Sequence, residues 1–228
     1  MDCLIMAAGR GVRLRPLTET IPKPLVPIAG RGTLLHLLEA MPNAVDRIIL
    51  IVGYLEEKIH EVIGTEFDGR PVAYCTQSPL DGTGGAIRQA RSLIQSETFL
   101  VINGDDLYAK EDLENLAAHP RSLLGLFVPA PIPMDAWFVD ENEIVERIGR
   151  IEPQTLGLLN VGAYHLGQEW FETQPVLSPG KQDEWSLPHA IPQLVPRYPY
   201  RVLEATYWYP CGTHEEIARA EAALTTAL

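Results

Sequence analysis

Residues 3–24 read Cys3-Leu4-Ile5-Met6-Ala7-Ala8-Gly9-Arg10-Gly11-Val12-Arg13-Leu14-Arg15-Pro16-Leu17-Thr18-Glu19-Thr20-Ile21-Pro22-Lys23-Pro24. Cys3 to Ala8 is a short apolar run, the pattern of a parallel strand buried on both faces. From Gly9 to Pro24 the chain carries Arg10, Arg13, Arg15 and Lys23 against one acid, Glu19, although its formal net charge is −12. Glycine leaves backbone N–H groups open to an anion in conformations other residues avoid. Cations then neutralise that anion. A basic, glycine-started loop at the exit of the first strand is therefore read as a polyphosphate site. The bland alternative is a surface turn with scattered arginines. It leaves unexplained why glycines, arginines and Pro22-Lys23-Pro24 coincide after a strand. The loop is not a Walker A motif, because no Gly-Lys-Ser/Thr occurs. Nor is it a dinucleotide fingerprint, since Gly9-Arg10-Gly11 lacks the third glycine.

Beyond the loop the chain alternates. Helical spacing at Thr33 to Met41, Tyr54 to Ile63, Gly82 to Ile94 and Lys110 to Ala118 separates apolar runs at Arg47 to Val52, Pro71 to Cys75 and Phe99 to Asn103. This rhythm predicts an α/β fold: a Rossmann-like three-layer α/β/α arrangement with a mixed, mainly parallel central sheet. Right-handed crossovers would bring Gly9, Gln77 and Gly104 to one edge. From about Leu123 the rhythm changes. Leu123 to Pro129, Glu143 to Ile148 and Leu159 to Leu166 read as strands, Ser186 to Val195 as a helix, Arg201 to Tyr207 as a last strand and His214 to Leu228 as a closing helix. A single domain over 1–228 is expected, with residues 1–122 as one half and 123–228 as the other.

Bulk composition bounds the function. With 228 residues, 46% hydrophobic and 21% charged, the chain can bury a core. Nineteen prolines cluster in three places and imply ordered loops. The acidic balance argues against a nucleic-acid partner, which would want a basic face. Cys3, Cys75 and Cys211 have no metal-type spacing and fit a reducing compartment. The N-terminal apolar run is too short for a secretory leader, and no stretch would span a bilayer. A cytoplasmic protein without a membrane partner is expected. The histidines are scattered without ligand spacing.

Two further constellations carry chemistry. Asn103-Gly104-Asp105-Asp106 ends a very apolar strand, where a carboxylate faces the ligand crevice. Mg²⁺ wants one or two carboxylates plus phosphate oxygens, and Asp105 is the better ligand. The competing reading makes Asp105 or Asp106 a cap for the helix near Lys110. The second constellation is Gln77 followed by Gly82-Thr83-Gly84-Gly85. Glycines opening a helix can approach a base or a phosphate; an ordinary loop and cap would look the same.

The chain resembles the sugar-1-phosphate nucleotidyltransferases. The stretch from Leu4 to Gly30 looks like their N-terminal signature, although Val12 stands where many members have threonine. Supporting matches are IILIVGYLEEKI, Gly82-Thr83-Gly84-Gly85-Ala86, VINGDDLY, LLNVGAYHL, EWSLPHAIPQLV and CGTHEEIARA. The resemblance implies that an NTP and a sugar 1-phosphate give an NDP-sugar and pyrophosphate. It implies Arg13 on the leaving pyrophosphate, Lys23 at the α-phosphate and Asp105 on Mg²⁺. Ala7, Ala8, Gly9 and Gly11 would frame the nucleotide, with Gln77, Gly82 and Thr83 at the base. Glu152 and Asn160 would take the sugar. Gln77 offers a donor and an acceptor together, which suits the O4 and N3–H edge of uracil or thymine. UTP or dTTP is therefore expected. Family members are often oligomers, but no stretch identifies an interface, and no C-terminal β-helix domain is expected.

Two departures stand out. The family has a second metal-binding aspartate before its closing Gly-Thr, but here Trp208-Tyr209-Pro210-Cys211-Gly212-Thr213 has proline at that place. The family's Glu-Lys-Pro, whose lysine meets the sugar phosphate, reads Ile151-Glu152-Pro153. Arg147 or Arg150 is left to supply the cation, and Asp106, Asp183 or Glu184 the carboxylate. These losses keep open a second reading: an impaired relative that binds nucleotide or NDP-sugar and regulates a partner.

Overall fold

The computed structural model describes residues 1–226. In chain order its main elements are β1 (Asp2–Met6), α1 (Thr33–Glu39), β2 (Arg47–Val52), α2 (Glu56–Ile63), β3 (Arg70–Thr76), α3 (Gly82–Ala90), β4 (Thr98–Asn103), β5 (Asp106–Tyr108) and α4 (Lys110–Ala118). Then follow β6 (Ser122–Pro129), β7 (Met134–Val139), β8 (Val145–Ile151), β9 (Leu156–Gly167), β10 (Arg201–Glu204), β11 (Trp208–Pro210) and α5 (His214–Thr226).

Strands β3, β2, β1 and β4 run parallel in that spatial order. Their side chains alternate between two cores, as a period-two backbone requires. Cys3, Ile5, Ile48, Leu50, Leu100 and Ile102 pack under α1, α2 and α4. Leu4, Ile49, Ile51, Phe99 and Val101 pack on the other face, against α3 and the segment around Leu187 and Ile191. Both faces are covered, which explains why these strands read as unbroken apolar runs. The sheet continues beyond β4 through antiparallel β9, β7 and β8, while β6 joins β9 to β10; ten strands share it.

The second half departs from the expected elements in definite ways. Met134 to Val139 is a strand that the sequence reading did not place. The segment Ser186 to Val195 is not an α-helix. Pro188 and Pro192 remove backbone donors, and only a short 3₁₀ run, Pro188–Gln193, forms. The expected strand Arg201 to Tyr207 stops at Glu204, and Trp208–Pro210 pairs instead with β5. The helix expected to Ile94 is α-helical only to Ala90 and then tightens into Arg91–Leu93. Residues 227 and 228 of the expected closing helix lie outside the described part.

Asp2 ties the start of this sheet together. Its carboxylate accepts from Arg47 Nε at 2.8 Å and from the N–H groups of Gln95 at 2.6 Å and Ser96 at 2.9 Å. Burial acts to raise its pKa, but these donors outweigh burial and hold it at about 2, below the ordinary 3.8. A depressed carboxylate stabilises the fold above its unfolded pKa and loses that contribution as pH falls through its folded value. About 2 kcal/mol of stability should therefore disappear between about pH 4 and pH 2. Urea unfolding across that range should show the loss in the native chain and a flatter profile in Asp2→Asn.

Candidate active site

The parallel register brings β1, β2 and β4 to an end together: Met6 lies beside both Ile51 and Asn103. The chain leaving β1 bonds to its neighbours at once, through Ala7 N–H to Ile51 O at 2.8 Å and Gly104 N–H to Met6 O at 3.0 Å. A cleft of about 860 Å³ opens above this edge.

The basic loop is ordered by 3₁₀ turns at Val12–Leu14, Leu17–Glu19 and Lys23–Leu25. Gly11 sits at φ 60°, and a Cβ there would lie 2.9 Å from Lys23 and from Thr18. The Thr18 hydroxyl donates to Gly11 O at 2.8 Å, and Leu14 is fully buried as an anchor. The Thr33 hydroxyl reaches both Pro24 O, at 3.1 Å, and Gly104 O, at 3.2 Å, which ties the basic loop to the turn carrying Asp105. From the other side, His214 meets Arg15 O at 3.3 Å, and Gly212 lets the Arg13 guanidinium pass where a Cβ would lie 2.6 Å away.

Lys23 Nζ donates to Asp105 Oδ2. Burial acts to lower the Lys23 pKa, but Asp105 and Asp106 more than offset it and the net shift is upward. The ammonium therefore stays charged. Arg10 and Arg13 line the same cleft. Among the described residues neither makes a hydrogen bond or ion pair with the protein. Two free guanidiniums beside a paired ammonium leave uncompensated positive charge for an incoming anion.

Asp106 has a different environment. It is buried, hydrogen-bonded by Asn103 Nδ2 at 3.3 Å and by Cys211 N–H at 3.4 Å, and it does not line the cleft. Burial first, then the charge of Asp105, push its pKa up to about 7. The cap of α4 is Ala109, so neither aspartate serves as the helix cap that competed with the ligand reading.

At the other end, Gln77 donates Nε2 to Asp81 Oδ1 at 3.0 Å and to Gly82 O at 2.9 Å. Two acceptors on one side fix which way the amide faces. Its donor is spent within the protein, and Oε1 remains. The turn that opens α3 is covered by a hairpin from Val176 to Ser186, in which Leu177 pairs with Trp185. Trp185 N–H bonds Asp81 O at 2.6 Å, Gly84 N–H bonds Trp185 O at 2.8 Å, and Leu187 N–H bonds the Thr83 hydroxyl at 3.0 Å. Asp183 and Glu184 at the end of this hairpin line the cleft.

Ala7, Ala8, Gly9, Arg13, Lys23, Gln77, Gly82, Thr83 and Asp105 all line the one cleft. Gly11 turns the loop from beneath and does not. Asn160 lies on β9, where its Oδ1 accepts from Tyr164 OH at 2.9 Å. Glu152 is exposed in the turn after β8. The covering hairpin was missed as an element. Ser178-Pro179-Gly180 between Leu177 and Trp185 is a turn signal that could have revealed it.

The cationic loop and the carboxylate thus sit at the switch edge of an open, mainly parallel α/β sheet, the place where such sheets bind ligands. A model of the nucleotidyl transferase family matches residues 2–126, more than half of the chain, and the chain belongs to that family. It is 34% identical over 223 residues to the bifunctional protein GlmU of Methanocaldococcus jannaschii, covering 96% of this chain and 53% of that protein. It thus spans about half the length of that relative. It is 27% identical to mannose-1-phosphate guanylyltransferase of Mycobacterium tuberculosis, covering 100% of this chain and 66% of that protein. Among solved structures, UDP-glucose pyrophosphorylase complexed with UDP-glucose superposes with a TM-score of 0.83 at 22% identity, covering 100% of this chain and 99% of that one. Among the described residues no helix is long and apolar enough to cross a membrane.

Gly82 sits at φ 86°, and a Cβ there would meet Trp185 O at 2.5 Å and Trp185 N at 2.7 Å. Gly82→Ala should cost about 2–4 kcal/mol and loosen the hairpin. Gly180 has φ 75° but faces open space, so Gly180→Ala should cost only about 1 kcal/mol. Thermal denaturation with limited proteolysis of residues 176–186 separates the two.

Proposed function

We propose that the chain transfers a nucleotidyl group from UTP or dTTP to a sugar 1-phosphate and releases pyrophosphate. The observation that carries this reading is the convergence of free Arg10 and Arg13 with the Lys23–Asp105 pair at one end of a cleft whose other end is the Gln77–Gly82 turn. A sugar phosphate oxygen attacks the α-phosphorus in line. The bond from that phosphorus to the bridging oxygen breaks, and pyrophosphate leaves with the electron pair. The nucleophile is already an anion, so the protein's work is positioning and charge neutralisation. Arg13 would hold the leaving pyrophosphate and Lys23 the α-phosphate. Ala7, Ala8 and Gly9 would frame the nucleoside with backbone groups. The first half of the chain would serve the nucleotide and the second half the sugar phosphate. Glu152 and the free Nδ2 of Asn160 would be offered to sugar hydroxyls.

The geometry alters the base argument. With its donor spent, Gln77 offers only Oε1 to the base, which suits a single ring N–H such as N3–H of uracil or thymine. Of the N–H groups that open α3, that of Gly84 is taken by Trp185 O, and those of Gly82 and Thr83 are available to a base carbonyl. Guanine presents N1–H and N2–H₂ side by side and would want two acceptors there. Kinship does not select the base, because the Mycobacterium relative is named a guanylyltransferase.

The donor set fits Mg²⁺ shared with a triphosphate rather than one caged by protein. Asp105 offers one carboxylate, Pro210 has no side-chain ligand, and no cluster of three acidic, histidine or cysteine side chains occurs among the described residues. One or two carboxylates with phosphate oxygens satisfy Mg²⁺. When bound, the ion would offset the charge gathered where two anions meet. Pro210 also favours the second reading, a nucleotide-binding regulator with weakened turnover.

The test is pyrophosphate release with a panel of NTPs and sugar 1-phosphates. UTP or dTTP should outpace GTP. Arg13→Ala should lower kcat/KM by about a hundredfold or more with the circular dichroism unchanged. Silence in every combination, with tight nucleotide binding, would favour the regulator instead. Asp105→Asn should abolish the Mg²⁺ dependence of nucleotide binding measured by calorimetry; unchanged dependence would remove Asp105 from that role.

A further inference from the structure

Five strands of the second half curl back on themselves. β10, β6, β9, β7 and β8 pair in that order. A bridge between Ile144 and Arg201 then returns β8 to β10. Among these strands lies a cavity of about 470 Å³, and none of the residues that line it lines the cleft. Phe127, Leu158 and Trp137 stand side by side across β6, β9 and β7, so they share a face. All three line the cavity. Gly125, two residues before Phe127, keeps that face open: a Cβ there would lie 2.8 Å from both Leu158 and Val202. Trp137 is 3% exposed, yet Phe127 is 52% exposed. The Trp137 indole N–H is buried and has no hydrogen-bond partner among the described residues.

Two carboxylates, Glu143 and Glu204, line the same cavity. Glu204 follows Val202 by two residues and so shares the face of β10 on which Val202 packs in the core with Trp137. Glu143 stands at φ 64°, a conformation easier for glycine or asparagine. It is fixed there. Asp140 Oδ1 accepts from the N–H groups of Asn142 at 2.8 Å and Ile144 at 2.9 Å, and Val202 N–H donates to Glu143 O at 2.9 Å. Neither glutamate carboxylate makes a hydrogen bond or ion pair among the described residues. Residues 140–146 hold four acids and no base. Phe138, also in the cavity wall, already takes a cation: the Arg147 guanidinium carbon lies 3.3 Å from its ring centre, although Arg147 does not line the cavity. Unpaired carboxylates repel phosphorylated ligands and attract cations. Aromatic faces hold an apolar body and also attract positive charge. The volume is that of a small-molecule site.

We propose that this cavity is a second binding site, separate from the cleft, for a small organic cation: an apolar body that ends in an ammonium and carries an oxygen. Glu143 and Glu204 take the ammonium. Phe127, Leu158 and Trp137 take the body. The oxygen gives the orphaned indole N–H an acceptor. A nucleotide or a sugar phosphate fits none of these demands, since both bring negative charge to two carboxylates that lack a counter-ion.

Calorimetry on the native chain tests this with tyramine and 8-amino-1-octanol as probes. At least one should bind, and its counterpart without the ammonium, 4-ethylphenol or 1-octanol, should bind about tenfold or more weakly. The anion 3-(4-hydroxyphenyl)propionate should not bind. Glu204→Gln should weaken the amine about tenfold, and Phe127→Ala should weaken it as well. Glu141→Gln removes an exposed acid of the same turn that does not line the cavity, and it should change nothing. Failure of both amines would overturn the proposal, and so would equal affinity for amine and uncharged counterpart. Equal losses in Glu141→Gln and Glu204→Gln would overturn it too, because they would show diffuse attraction to an acidic surface. A capped Leu-Lys-Leu peptide that binds where both amines fail would make the cavity a protein-docking surface instead. No turnover is needed for this readout, so the transferase reading is untouched by either result.

Discussion

An ammonium from one loop meets a carboxylate from another across the open edge of a parallel sheet. The contact between Lys23 and Asp105 joins the two segments that frame the cleft, and it exists only because β1 and β4 are adjacent and in register. Parallel neighbours release their chains at the same edge, so the loops after them must share that space. Thr33 adds a neutral clamp between the same loops through Pro24 O and Gly104 O. The cationic loop is thereby held in place before any anion enters. That arrangement reduces the ordering cost of binding.

Preorganisation extends around the cleft. Leu14 anchors the basic loop from inside, and His214 and Gly212 meet it from the end of the chain. The hairpin of residues 176–186 and Leu187 after it do the same for the turn that opens α3, through two backbone hydrogen bonds and one to the Thr83 hydroxyl. Segments far apart in sequence thus fix both ends of one site. Arg10 and Arg13, without hydrogen-bond or ion-pair partners among the described residues, are the part of the cleft that an anion can complete.

Much of this was legible in the sequence, for physical reasons. Strands buried on both faces cannot hide their composition, so Arg47–Val52 and Thr98–Asn103 stood out as apolar runs. The basic loop was legible because its charge opposes that of the chain. The second half was less so. Met134–Val139 holds one polar residue, Asp135, and its two buried residues, Ala136 and Trp137, are adjacent and so lie on opposite faces, which leaves no alternation to read. Ser186 to Val195 has the right residues for an amphipathic helix, but its two internal prolines decide against one. The orientation of the Gln77 amide could not be read at all. It depends on Asp81 Oδ1 and Gly82 O lying together, a tertiary fact.

The adjacent aspartates divide one motif between two environments. Asp105 lies in the turn that leaves β4, whereas Asp106 is the first residue of β5. Asp105 turns to the cleft and finds Lys23. Asp106 turns inward, toward Asn103 and the Cys211 N–H. It sits directly across from Pro210 in the β5–β11 pair. Proline lacks an N–H, so it is tolerated in so short an edge pair but brings no side-chain ligand. The acid nearest to Pro210 in register is thus one that does not line the cleft. Burial and the charge of Asp105 raise its pKa. Around the basic loop the cleft then offers one carboxylate, one ammonium bonded to it and, among the described residues, two guanidiniums without a protein partner. On the transferase reading proposed above, neutralising the reacting phosphates falls more heavily on arginine and lysine.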